Sequence, residues 1–219
     1  MTLSIIARDP ETGFVGVVTA TGKIAVGAHV PHLRPGVGAI ATQGYTTNPL
    51  YAEDGFRLLE SGWTAKEVVE ALTTRDQGRD WRQLLVMDGN GGAAGATGKA
   101  NETVLGIIEA DDIIVGGNML ANEHVLPAME TAYRNGKGLP LAARLLAALE
   151  AAEVSGGDKR GACSSAMLLQ DEASWPLNLR VDFAPDPVTA LQNLYEQSTD
   201  PSYRAFRSSL PNRTKPFCW

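Results

Sequence analysis

The chain has 219 residues, 44% hydrophobic and 20% charged, which suits one globular domain whose core needs no disulfide or metal staple. Its 19 basic and 25 acidic residues, net −6, exclude a general nucleic-acid binder, because phosphate contacts need clustered Lys and Arg. No apolar run approaches the ~20 residues of a membrane span, and the first residues lack the pattern of a secretory signal, so a cytoplasmic protein without a membrane partner is expected.

Residues 2–8 are β-prone, and in the turn Asp9-Pro10-Glu11-Thr12-Gly13 the proline sets φ while Gly13 can take a positive value. Residues 14–19 return as the second strand of a hairpin, a short third strand is expected over 23–28, and a fourth over 38–43. Helical period begins after Asn48-Pro49, where Tyr51, Phe56, Leu58 and Leu59 share one face of a helix over 50–61. Thr64-Ala65-Lys66-Glu67 is a capping box opening a second helix to about residue 74. Asp88-Gly89-Asn90-Gly91-Gly92 is a hairpin signal between strands over 81–87 and 93–97.

Residues 107–115 supply another strand or two, closed by Gly116-Gly117, and Asn122 caps a helix through 134. Residues 139–154 form a helix that is apolar on nearly all sides and therefore buried. Strands follow over 164–169 and 177–183, and Asp186 with Pro187 at the first helical position opens a helix to 196. Strands in runs and helices in pairs indicate a layered α+β protein rather than a doubly wound parallel sheet. Residues 1–198 are read as a single domain, and 199–219, with Pro201, Pro211 and Pro216, as an irregular arm packed on the domain or at a subunit interface.

Three His and two Cys leave little conventional chemistry. Cys163 and Cys218 are too few for a disulfide framework and are read as reduced thiols. His29 and His32 are three apart, but Pro31 between them opposes a helix, no HExxH pattern occurs, and no metal or other cofactor is expected. No GxSxG elbow points to a serine triad, and no GxxxxGK[ST] to a phosphate cradle. Thr2 offers a different route. Removal of an initiator Met is favoured when the next side chain is small, and an N-terminal threonine carries its own base, because an α-amine with a pKa near 7.7–8.0 is substantially neutral around pH 7–8. A retained Met1 would block that amine.

The chain resembles, over most of its length, the bacterial family catalogued as domain of unknown function 1028. The resemblance is carried by residues 2–13 (TLSIIARDPETG), by residues 38–43 with Asn48-Pro49, by Gly117-Asn118-Met119-Leu120, by residues 156–161 with Ser164-Ser165-Ala166, and by Leu179-Arg180-Val181-Asp182 before Pro185-Asp186-Pro187. That family is similar to the N-terminal nucleophile hydrolases. The resemblance implies a four-layer αββα sandwich of two antiparallel sheets, a cleaved Met1, and Thr2 attacking an amide-type carbonyl. It also implies a nearby lysine, for which Lys23 is the candidate, lowering the amine pKa by its charge. The aspartate that proteasome-like members carry after their second strand has no clear match at Thr19 or Thr21.

Other positions admit two readings each. Asn118 can present its amide or a neighbouring backbone N–H to an oxyanion, or serve as a turn residue between strand and helix. In the loop 156–161, Asp158 can orient the terminal amine and Arg160 can hold a substrate carboxylate, with Ser164 beyond them; otherwise the loop is a solvated connection. Gln43 and Asn48 divide similarly between substrate contacts and a turn. The expected function is hydrolysis of an amide-type C–N bond in a small molecule or peptide, with Thr2, Lys23 and Asp158 catalytic and Asn118, Gln43, Arg160 and Ser164 binding substrate. The alternatives are a non-catalytic binding or assembly protein of the same fold, and a Cys163 hydrolase using His29 or His32. The apolar helix and the aromatic chain end further predict a homo-oligomer.

Overall fold

The computed structural model describes residues 2–101, 104–212 and 215–217. Strands β1 (Thr2–Arg8) and β2 (Val15–Thr21) make the expected hairpin, in register from Thr2↔Thr21 to Arg8↔Val15, with Gly13 at φ 75 in the turn. The other flank of β1 pairs with β8 (Ile113–Asn118), from Thr2↔Asn118 to Ala7↔Ile113. β1 is therefore an inner strand. With β7 (Gly106–Ala110), β9 (Ser164–Gln170) and β10 (Leu177–Val181) these strands form a six-stranded sheet in the order β10-β9-β2-β1-β8-β7. A second sheet has the order β3-β4-β5-β6, from β3 (Pro31–Arg34), β4 (Gly38–Gly44), β5 (Arg82–Asp88) and β6 (Ala93–Thr97). Every pairing in both sheets is antiparallel.

Three apolar clusters give the layers. Helices α1 (Leu50–Glu60) and α2 (Ala65–Arg75) cover the four-stranded sheet through Tyr51, Phe56, Val68 and Leu72 against Ile40, Leu84 and Val86. Helices α3 (Val125–Asn135), α4 (Leu141–Val154) and α5 (Pro187–Ser198) cover the six-stranded sheet, with Leu145, Leu149 and Leu191 against Leu3, Ile5 and Val18. Between the sheets lie Ile6, Val15, Val17, Ala39, Ala41, Leu85, Met87 and Ile114. The result is the four-layer αββα sandwich of two antiparallel sheets. Apart from Val154, which is exposed, the large apolar side chains of α4 are covered within this chain, by α3, α5 and the strands β1 and β2.

Three local expectations change. Residues 23–28 form no strand: Ala25 takes φ 59, its N–H bonds Asp182 O, and a 3-10 turn follows over Val26–Ala28. Gly27 lies flush against Ala166 and Arg180 there, so the apolar run is used for close approach rather than for a ladder. The third strand comes later, as β3, and begins at Pro31 on the sheet edge, where a missing N–H costs no ladder bond. Asn122 does not cap α3; His124 holds that position, while the Asn122 side chain accepts from His124 N and donates to Ser155 O. Finally, the arm after residue 198 is not wholly irregular. α6 spans Pro201–Ser209, capped by Asp200, whose carboxylate accepts from Ser202 N at 2.8 Å. Asp200-Pro201 repeats the helix-opening signature of Asp186-Pro187.

Candidate active site

Period-two alternation sends every second residue of a strand into the space between the sheets. Along β1 these are Ile6, Ser4 and Thr2; along β2, Val15, Val17, Thr19 and Thr21; along β5, Met87, Leu85 and Gln83. The same change occurs in β4, from Ala39 and Ala41 to Gln43, and in β8, from Ile114 to Asn118. The sandwich interior is thus apolar at one end and polar at the other, and the polar end is where β1 begins. Thr2, Ser4, Thr19, Thr21, Gln43, Gln83 and Asn118 are all buried, and none carries a charge.

Burial forces these groups to bond one another. The Thr2 and Thr21 hydroxyls are 3.2 Å apart. Gln83 Nε2 donates to Gly117 O at 2.9 Å and Gly106 O at 3.2 Å, which only accept, so its amide orientation is determined by the backbone. Its Oε1 then faces two donors, Gln43 Nε2 at 2.7 Å and Asn118 Nδ2 at 3.0 Å. Gln43 Nε2 also reaches Thr2 O and Gly116 O at 3.3 Å, which turns its Oε1 toward the Ser4 hydroxyl, 2.6 Å away. The Thr19 hydroxyl donates to Leu3 O at 3.0 Å. One atom of this network is left over: Asn118 Oδ1 is buried with no hydrogen-bond partner among the described residues. Asn118 lies within β8 and not in a turn, and its unfilled atom is an acceptor, whereas an oxyanion requires a donor.

The loop after α4 approaches the same end from the side. Asp158, 3% exposed, accepts from Gly22 N at 2.6 Å and Arg160 N at 2.8 Å, and pairs with the Arg160 guanidinium at 3.1 Å. It clamps the bend that follows Thr21. Ser164, opposite Thr21 in the β2–β9 register, donates to Lys23 O at 2.6 Å and accepts from Val26 N at 3.2 Å. Lys23 itself has an exposed side chain on that bend. The structure therefore brings Thr2, Asn118 and Gln43 into one buried cluster, sets Asp158, Arg160 and Ser164 beside it, and leaves Lys23 at the surface.

Sequence reasoning missed Gln83, Ser4, Thr19 and Thr21 as members. Each carries a legible signal, a polar residue at the inward phase of an otherwise apolar strand. It also missed Glu153, near the end of α4. Burial first, then the charges of Asp158 and Asp186, push its carboxyl up to about 7, and its Oε1 has no partner among the described residues. His32 is held below its ordinary value by burial, although its ring contacts His29 O. No hydrogen bond joins Cys163 to His29 or His32. Among the described residues no three His, Cys, Asp or Glu side chains gather as a metal ion requires, and no helix is long and apolar enough to cross a membrane. Met1 and Cys218 lie outside the described residues.

Fold and site together define an αββα sandwich whose buried hydroxyl- and amide-lined end receives the start of the chain. Residues 2–191 match the family of unknown function DUF1028, and the chain belongs to it. A crystal structure of a Silicibacter pomeroyi protein, described as a member of the same family, is 36% identical, with a TM-score of 0.93 over 99% of this chain and 98% of that one. Anbu (ancestral beta-subunit) from Yersinia bercovieri is 11% identical over 97% of this chain and 98% of its own, with a TM-score of 0.43, a likeness too slight to carry an argument. No curated protein matches significantly.

Proposed function

We propose that the protein hydrolyses an amide-type C–N bond in a small molecule or peptide, with Thr2 as nucleophile once Met1 has been removed. The observation that carries this reading is the position of Thr2: second in sequence, first on an inner strand, with its hydroxyl 3.2 Å from Thr21 Oγ1 at the polar end of the interior. In the reaction, Thr2 Oγ1 attacks the carbonyl carbon while its proton passes to the neutral α-amine. Collapse of the tetrahedral intermediate breaks the C–N bond, and the leaving amine takes that proton. Water then adds to the Thr2 ester, again giving a proton to the α-amine, and the acid departs as the hydroxyl is restored. Asp158 holds the bend beside Thr21 in place, and Lys23 adds a positive charge at that end of the sandwich.

A non-catalytic binding protein is the second reading, favoured by the burial of Thr2, 7% exposed, and by two grooves away from it. One of about 470 Å³ lies between α1 and α2, another of about 590 Å³ beside β7 and α3, and Thr2 lines neither. Intact mass of protein from a native-like host, combined with an amide-substrate panel, separates the two. The hydrolase reading expects loss of Met1 and activity that Thr2→Ala abolishes. Retained Met1 in every molecule, with any turnover indifferent to Thr2→Ala, overturns it.

A further inference from the structure

Among the described residues the buried network at the start of β1 satisfies its members with one exception, which belongs to the residue opposite Thr2. Backbone carbonyls orient Gln83, Gln83 Oε1 orients the Asn118 amide through Nδ2 at 3.0 Å, and Asn118 Oδ1 is left without a donor among the described residues. Asn118 is fully buried, so its vacant lone pairs do not face bulk solvent. Its register partner across the β1–β8 ladder is Thr2. Directly opposed residues on one face of an antiparallel pair have Cβ atoms about 4.5–5.5 Å apart, within reach of one hydrogen bond between side chain and chain end. While residue 1 is attached, Thr2 N is an amide with a single N–H. Hydrolysis of the Met1–Thr2 bond leaves an amine with two N–H groups when neutral and three when protonated, so processing creates donors beside an acceptor that lacks one.

We infer that Asn118 is a positioning residue for the processed terminus: its Oδ1 accepts a hydrogen bond from the α-amine of Thr2. This rests on the reading of Thr2 as the processed nucleophile. An amide suits the task because it aims the amine without a full negative charge, which would hold the amine as ammonium and remove the base. The neighbouring interior side chains, Thr21, Gln43 and Gln83, are likewise neutral; the charged groups Lys23, Asp158, Lys159 and Arg160 stand on the bend and loop outside them.

The test is an NMR titration of the full chain with Met1 removed enzymatically, following the 15N-labelled Thr2 amine and the Asn118 side-chain amide from pH 6 to 10. The Asn118 resonances are expected to shift with the same midpoint as the amine. Asn118→Leu, which removes the acceptor that favours the ammonium, is expected to lower the amine pKa by roughly half to one unit. In protein whose retained Met1 is Nα-acetylated, no amine titrates at this end and the Asn118 resonances stay constant over that range. Asn118 signals that ignore the amine titration overturn the inference, as does an unchanged amine pKa in Asn118→Leu. If that variant does not fold, the wild-type titration decides alone. The readout needs no substrate, so an inactive protein whose Asn118 follows the amine would sink the hydrolase reading and leave the positioning role standing.

Discussion

Gln83→Leu probes the buried network at its hub. Leucine nearly conserves volume but removes both ends of the amide. Asn118 Nδ2 loses its one partner, 3.0 Å away, while Gln43 Nε2 loses its shortest bond, 2.7 Å, and keeps two longer ones at 3.3 Å. Thr97 Oγ1 and the Gly106 and Gly117 carbonyls lose a donor as well. One fully orphaned buried amide costs about 1–3 kcal/mol, and the weakened bond to Gln43 adds about 1, for a total of about 2–4 kcal/mol. At roughly 2–4 °C per kcal/mol for a domain of this size, Tm falls by about 4–16 °C. Urea and thermal melts measure it. A double-mutant cycle with Asn118→Leu isolates the pair, because the double variant no longer buries an unmatched Asn118 amide; a coupling of about 1–2 kcal/mol is expected. A loss under about 0.5 kcal/mol, or strict additivity, would refute the claim that the network depends on Gln83.

Three further outcomes follow from the charged groups. Glu153 has a folded-state value near 7, raised above its ordinary 4.5. The native state therefore holds a proton that the unfolded chain has released, and stability declines as pH rises from about 4.5 to 7. Glu153→Gln should flatten that slope in urea melts taken across the window, and a slope that persists unchanged would assign it elsewhere. Asp158→Ala leaves Gly22 N without its acceptor and frees the Arg160 guanidinium from a buried partner, so a loss of about 2–4 kcal/mol is expected. The same change removes one of the charges acting on Glu153, so the Glu153 midpoint should move down, which 13C-carboxyl NMR would record.

Much of the fold was legible in strings of residues. The hairpin of β1 and β2 is written in alternation and in Asp9-Pro10 with Gly13, and α2 in its capping box, in which Thr64 Oγ1 accepts from Glu67 N. The misread segments are those where short-range signals conflict with distant contacts. Lys23 to Ala28 looks like a strand, but the Asp182 carbonyl and the packing of Gly27 on Ala166 and Arg180 bend it. Asn122 has a cap's chemistry, yet its amide is committed to Ser155 O on the next helix. α6 was missed for another reason: three prolines obscured an Asp-Pro start that the preceding helix had already displayed.

For the site, the sequence by itself determined which faces are polar. Thr2 and Ser4 alternate with Leu3 and Ile5, and Gln83 breaks the apolar phase of Leu85 and Met87, so strand periodicity alone marks these side chains as sharing one face with the core. Family membership was equally written in the order of its motifs. Only the tertiary structure decided that those polar positions meet. Which strand lies against β1 depends on closure of long loops, 116 residues separating Thr2 from Asn118 in chain and one register step joining them in space. It also depends on two sheets packing face to face, which brings Gln43 and Gln83 over Thr2 and leaves Lys23 outside. Pattern along a strand is local and survives in one dimension. The pairing that turns it into a site is chosen by burial of the whole interior at once.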